Sequence, residues 1–130
     1  MSALATLDAL QEQGYRATLE SAELVVRGPG PVPEDLRTEL RADTAAMKAA
    51  VLLVTPPPWL SKLFELWWNG TETPVQRPNP ATGQTEVYMV RVSVNNITAL
   101  VAAEIGMDPF QWEEIREEVA EALARWEGPA

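Results

Sequence analysis

Between Tyr15 and Arg27 apolar and polar positions alternate. Tyr15, Ala17 and Leu19 fall on one side, and Arg16, Thr18 and Glu20 on the other. After a break at Glu20-Ser21-Ala22, Leu24 and Val26 alternate with Glu23, Val25 and Arg27. A period of two predicts a half-buried β-hairpin. A lone hairpin is marginal in water, so flanking helices must cover its apolar face. Its outer edge keeps unpaired backbone N–H and C=O groups. Upstream, Leu4, Leu7 and Leu10 recur at helical spacing and predict a helix over residues 3–13, with Ser2 as N-cap and Gly14 just past its end. Downstream, the run Gly28 to Pro33 stops the second strand. Pro33 suits the first position of a second helix, whose Glu34 and Asp35 sit at the positive end of the helix dipole and whose Leu36 and Leu40 mark the buried side. Asp43 or Thr44 caps a third helix in which Met47, Val51 and Leu52 or Leu53 form the apolar face. Thr55-Pro56-Pro57-Pro58 ends that helix and marks a domain boundary.

The remainder follows a different pattern. Leu60, Leu63, Phe64, Trp67 and Trp68 crowd one side of a helix over residues 59–68, closed by Asn69-Gly70. A strand over residues 86–94 pairs across a turn at Pro80 to Gly83 with a segment near residues 73–77. Asn95 or Asn96 caps a helix through Ile105, closed by Gly106. Asp108 to Gln111 reads as cap, first-turn proline and capping-box glutamine of a last helix reaching about Trp126. Trp112, Ile115, Val119, Leu123 and Trp126 recur along it at helical spacing. The expected fold class is α+β. An α-β-β-α-α unit spans residues 1–54, a Pro-rich linker 55–58, and a Trp-rich unit with a strand pair and two C-terminal helices 59–130.

Composition narrows the chemistry. The 130 residues contain no histidine and no cysteine. Ser–His and Cys–His nucleophilic pairs, disulfides and Cys/His zinc sites are therefore excluded. A carboxylate-only Mg²⁺ or Ca²⁺ site is formally open, but no metal or cofactor is expected, and neither is catalysis. The net charge of −9 disfavours direct binding of nucleic acid. The apolar run Val51 to Val54 is far too short to span a bilayer, and no membrane partner is expected. The N-terminal stretch lacks a basic region, so it does not read as a signal peptide, and a cytoplasmic location is the simplest expectation.

The opening helix ALATLDAL, the Gly14 break, the strand pair YRATLE and ELVVRGP, the helix PEDLRTEL and the apolar helix AAMKAAVLL occur in that order. This arrangement resembles the TubC-type N-terminal docking domain of nonribosomal peptide and polyketide synthetases, over residues 1–54. The resemblance implies a docking module, often dimeric, that holds a partner peptide by strand addition to the hairpin. Carried over residue by residue, it implies Leu24, Val25, Val26 and Arg27 as the peptide-facing strand, with Arg27 and then Arg16 as charge contacts. At the start of the last helix, where that family has basic residues, this chain has Asp43 and Thr44. Because the unit is acidic overall, a strongly acidic partner tail is not expected.

All five tryptophans lie between Trp59 and Trp126. Most serve to build a core in a small unit, with Trp59 or Trp68 as candidates for an exposed partner hot spot. Glu114, Glu118 and Glu121 share a helical spacing that normally makes a solvated face; the alternative is an acidic surface for a basic partner. Two functions follow. The first is a non-catalytic docking or adaptor protein that binds a protein segment at the hairpin edge and can dimerise through its N-terminal module. The second is an acidic accessory or inhibitor protein of a mobile genetic element, acting on a replication or defence complex that processes nucleic acid.

Overall fold

The computed structural model describes residues 2–128. Helix α1, Ala3–Glu12, is capped by the Ser2 hydroxyl, which accepts from the Ala5 N–H at 3.1 Å. Gly14 at φ +87° turns the chain, and the Tyr15 N–H donates back to the Leu10 carbonyl at 2.9 Å. Strands β1, Arg16–Glu20, and β2, Glu23–Arg27, then pair antiparallel, with Glu20 opposite Glu23. Ser21 and Ala22 alone make the turn, at φ +51° and +63°. Two left-handed residues give the twist that a tight hairpin favours, here without glycine at either position.

Helix α2, Glu34–Ala42, follows with Pro33 at its N-cap rather than at its first helical position, because Pro33 keeps an extended ψ of 144°. Helix α3, Thr44–Val54, is capped by Asp43, which accepts from the Ala46 N–H at 3.0 Å. Helix α4, Pro58–Asn69, begins one residue earlier than expected, with Pro58 inside its first turn, and stops at Gly70, φ +62°.

Strands β3, Glu72–Pro78, and β4, Thr85–Arg91, form a second antiparallel ribbon. The strand expected to reach Val94 ends at Arg91. A capping box is the cause. The Ser93 hydroxyl accepts from the Asn96 N–H at 3.2 Å, and the Asn96 side-chain oxygen accepts from the Ser93 N–H at 3.0 Å. Val94 thus opens helix α5, Val94–Glu104, and Ser93 is the cap in place of Asn95 or Asn96. The single last helix expected from Asp108 is also corrected. A 3₁₀ segment, Pro109–Ile115, precedes helix α6, Arg116–Arg125. Asp108 accepts from the Phe110 N–H at 2.9 Å, and its carbonyl accepts from the Gln111 N–H, so the first turns wind tighter than an α-helix.

The fold is α+β, with six α-helices and two two-stranded sheets among the described residues. Helix α3 is its axis. Ala46, Met47, Ala49, Ala50, Val51 and Leu53 are all buried, so α3 is covered on most of its circumference. Ala46, Met47 and Ala50 pack on Ala3 and Leu4 of α1. Ala49 and Leu53 join Leu60, Phe64, Ile97, Val101, Ile115, Val119 and Leu123 in the main core. The small alanines let neighbouring helices approach closely. The two stretches either side of residues 55–58 therefore pack on one another. A third cluster, Leu10, Tyr15 and Leu36, seats the hairpin on α1 and α2. Tyr15 donates to the Pro31 carbonyl at 2.7 Å, and its ring fills the space where a Cβ on Gly28 would lie.

Candidate functional site

The hairpin register determines which backbone groups are free. A two-residue turn makes Glu20 and Glu23 a hydrogen-bonded pair, and such pairs alternate along an antiparallel ladder. Thr18 with Val25 and Arg16 with Arg27 therefore bond inward. Leu24 and Val26 direct their N–H and C=O groups outward, away from β1. Their side chains pack toward the body, Leu24 on the α1–α3 cluster and Val26 on the Tyr15 cluster. The outward backbone is thus held on a fixed support.

A groove of about 500 Å³ runs beside this edge. Leu24, Val26 and Leu40 form its apolar part, and Arg37, Arg41 and Lys48 its basic rim, with Glu23 at one end. Arg37 is partly committed, since it donates to the Val32 carbonyl at 3.1 Å and lies 3.5 Å from Glu34. Among the described residues, Arg41 and Lys48 have no carboxylate within ion-pair distance. The lining thus holds three cations against the one carboxylate of Glu23, a local excess of positive charge on a chain of net charge −9. No local pattern in the sequence marks these three residues as a group. Their convergence depends on how α2 and α3 pack on the hairpin.

The other residues expected at the site are distributed differently. Arg27 turns to the opposite face of the hairpin, where it makes two hydrogen bonds to Glu20, at 3.0 and 3.2 Å. Those bonds and the Glu20 charge raise its pKa further above the ordinary arginine value. Thr18 and Val25 are opposite each other on the same face of the hairpin, and the Thr18 hydroxyl oxygen is buried with no hydrogen-bond partner among the described residues. Arg16 lies on a second groove of about 960 Å³ along the β1 edge, with Gln11 and Glu104 among its polar lining. That groove is larger, but it carries no excess of one charge.

Trp59 and Trp68 are 38% and 51% exposed. Nine positions apart on α4, they stand half a turn out of phase and face opposite sides. Trp68 packs edge-on against Trp126, with ring centres 5.7 Å apart. Glu121 accepts from the Ser2 hydroxyl at 3.4 Å and from Arg125 at 3.1 Å, and Arg125 reaches Asp8 at 2.9 Å. Glu118 is half-buried near Asp43. Burial raises its pKa above the usual glutamate value, a backbone hydrogen bond opposes this, and the charges of Asp43, Glu117 and Glu121 add to it. Glu114 stays exposed in the 3₁₀ segment. Two of these three glutamates thus face the protein's own α1 and α3.

Among the described residues no cluster of three or more carboxylates is arranged to hold a metal ion, and no helix is long and apolar enough to cross a membrane. No family model matches the chain, and neither a curated protein nor a solved structure matches it.

Proposed function

We propose that this chain is a non-catalytic docking or adaptor protein that takes an extended segment of a partner protein onto the outer edge of β2. One observation carries the reading. The outward-facing amides and carbonyls of Leu24 and Val26 border a groove that is apolar beside the strand and basic at its rim. Main-chain hydrogen bonds to those groups would supply affinity, and the groove would supply specificity. The favoured segment alternates small apolar residues, facing Leu24, Val26 and Leu40, with acidic residues that reach Arg37, Arg41 and Lys48. The resemblance of residues 1–54 to docking domains supports the same edge. The acidic-accessory reading is weaker, because Glu118 and Glu121 are directed at the protein's own residues.

Selection from a random ten-residue peptide display library on the immobilised protein tests this. The expected enrichment is for alternating apolar and acidic sequences. Leu24→Pro should abolish their binding while leaving the inward ladder intact, since the Leu24 N–H faces out. Arg41→Glu together with Lys48→Glu should weaken it about tenfold, each exposed ion pair being worth up to about 1 kcal/mol. Enriched peptides indifferent to both changes, or perturbing the β1 edge instead, would overturn the proposal.

A further inference from the structure

The ribbon of β3 and β4 is the least supported element of the fold. None of its residues belongs to any of the apolar core clusters. An isolated two-stranded ribbon is marginal in water, yet this one exposes Val87 and Met89 by 62% and 58%. Its two edges are unlike. The Asn79 N–H donates to the Gln84 carbonyl at 2.8 Å at the closed end. Alternation from that pair makes Pro78–Thr85, Gln76–Val87, Pro74–Met89 and Glu72–Arg91 the pairs whose backbone groups turn outward. Pro74 and Pro78 thus remove two outward donors from β3, whereas β4 keeps all of its own, at Thr85, Val87, Met89 and Arg91. Proline is a known device for blunting a sheet edge. Here only one edge is blunted.

We infer that the protein self-associates through β4, the β4 strands of two copies pairing antiparallel about a two-fold axis. The result is one four-stranded sheet in the order β3–β4–β4–β3. Three features select a second copy as the occupant. First, the new sheet ends on the proline-bearing β3 at both sides, so growth closes at two copies instead of continuing into a fibre. Second, the ribbon carries Glu72, Glu86, Arg77 and Arg91, which balance, on a chain whose net charge is −9. The seam itself therefore brings no excess of like charge together. Third, a two-fold centred on Tyr88 is self-complementary. It sets Val87 of each copy opposite Met89 of the other as hydrogen-bonded pairs. On that face the two valines and two methionines meet beside Pro74 of each copy. The seam is shorter than a standard interface, so the expected dissociation constant is micromolar.

Sedimentation velocity from low to high micromolar concentration is the test, on the full chain. The wild type should shift from monomer to dimer. Val87→Pro removes an outward donor twice per dimer, so association should weaken roughly tenfold or more. Gln76→Pro, the corresponding change on β3, should leave it unaltered. Circular dichroism confirms that both variants fold. Because the chain has no cysteine, Tyr88→Cys supplies an independent measurement. At the two-fold, two copies of residue 88 face each other with Cα atoms about 4.5 Å apart, so mild oxidation should give a covalent dimer. A monomer at every concentration, a dimer insensitive to Val87→Pro, or equal loss with Gln76→Pro would overturn the inference.

Discussion

Glu118 shows how one side chain can work against the fold that holds it. It lies on α6 beside the Asp43 cap of α3, with one carboxylate oxygen buried and without a hydrogen-bond partner. Burial is the leading cause of its raised pKa, and the neighbouring carboxylates add to it. The sign follows directly. A carboxyl whose folded pKa exceeds its unfolded value binds a proton more readily in the folded state, so its contribution to stability is most favourable below the ordinary carboxylate range. It falls as pH rises through the folded value. Glu118→Gln should therefore raise the melting temperature at neutral pH, and the two melting curves should converge in acid. Parallel pH profiles would show that folding does not raise the Glu118 pKa.

The two hairpins have opposite designs. The first is held on its apolar face by Tyr15, Leu10 and Leu36, so it tolerates a strained turn. Ser21 and Ala22 both adopt left-handed backbone, which costs a residue with a Cβ about 1–2 kcal/mol. Glycine recovers most of this but loses conformational entropy on folding. Ala22→Gly should thus stabilise the protein by about 0.5 kcal/mol, measured by urea unfolding, without altering the β2 edge. The second ribbon has Gly83 at φ +72° in its turn, so its turn is relaxed but its faces lack support. Its apolar positions were visible in the sequence as a strand with two partly apolar faces. Whether either face was covered was not, because that depends on where α4 and α5 leave the ribbon.

Across the whole molecule, α3 packs against both of two dissimilar stretches. Met47 packs on α1, while Ala49 and Leu53 on the same helix pack against α4, α5 and α6. Arg125 adds a surface link to Asp8, at 2.9 Å. Met47→Ala should cost about 2–5 kcal/mol, as for other buried truncations. The tryptophans all lie between Trp59 and Trp126, so their fluorescence reports on the other stretch. The fluorescence midpoint should nevertheless move together with the far-ultraviolet circular dichroism midpoint, as a single cooperative transition requires. A fluorescence transition left in place would mean that the stretches unfold independently.

What the sequence determined by itself was local. Alternation from Tyr15 to Arg27, the Ser2 and Asp43 caps, the Gly14 and Gly70 stops and the helical spacing of Ile115, Val119 and Leu123 all reside in neighbouring residues. They rest on backbone geometry and on period, which a linear chain displays. Local competition explains the errors at Ser93 and Asp108, where a side chain captured a different backbone N–H from the one expected. The tertiary structure alone decided what meets what. Arg37, Arg41 and Lys48 converge on the β2 edge because α2 and α3 pack across the hairpin. Prolines at positions 74 and 78 acquire meaning only once the register turns them outward. Such placements depend on contacts between residues distant in the chain, and no local period encodes them.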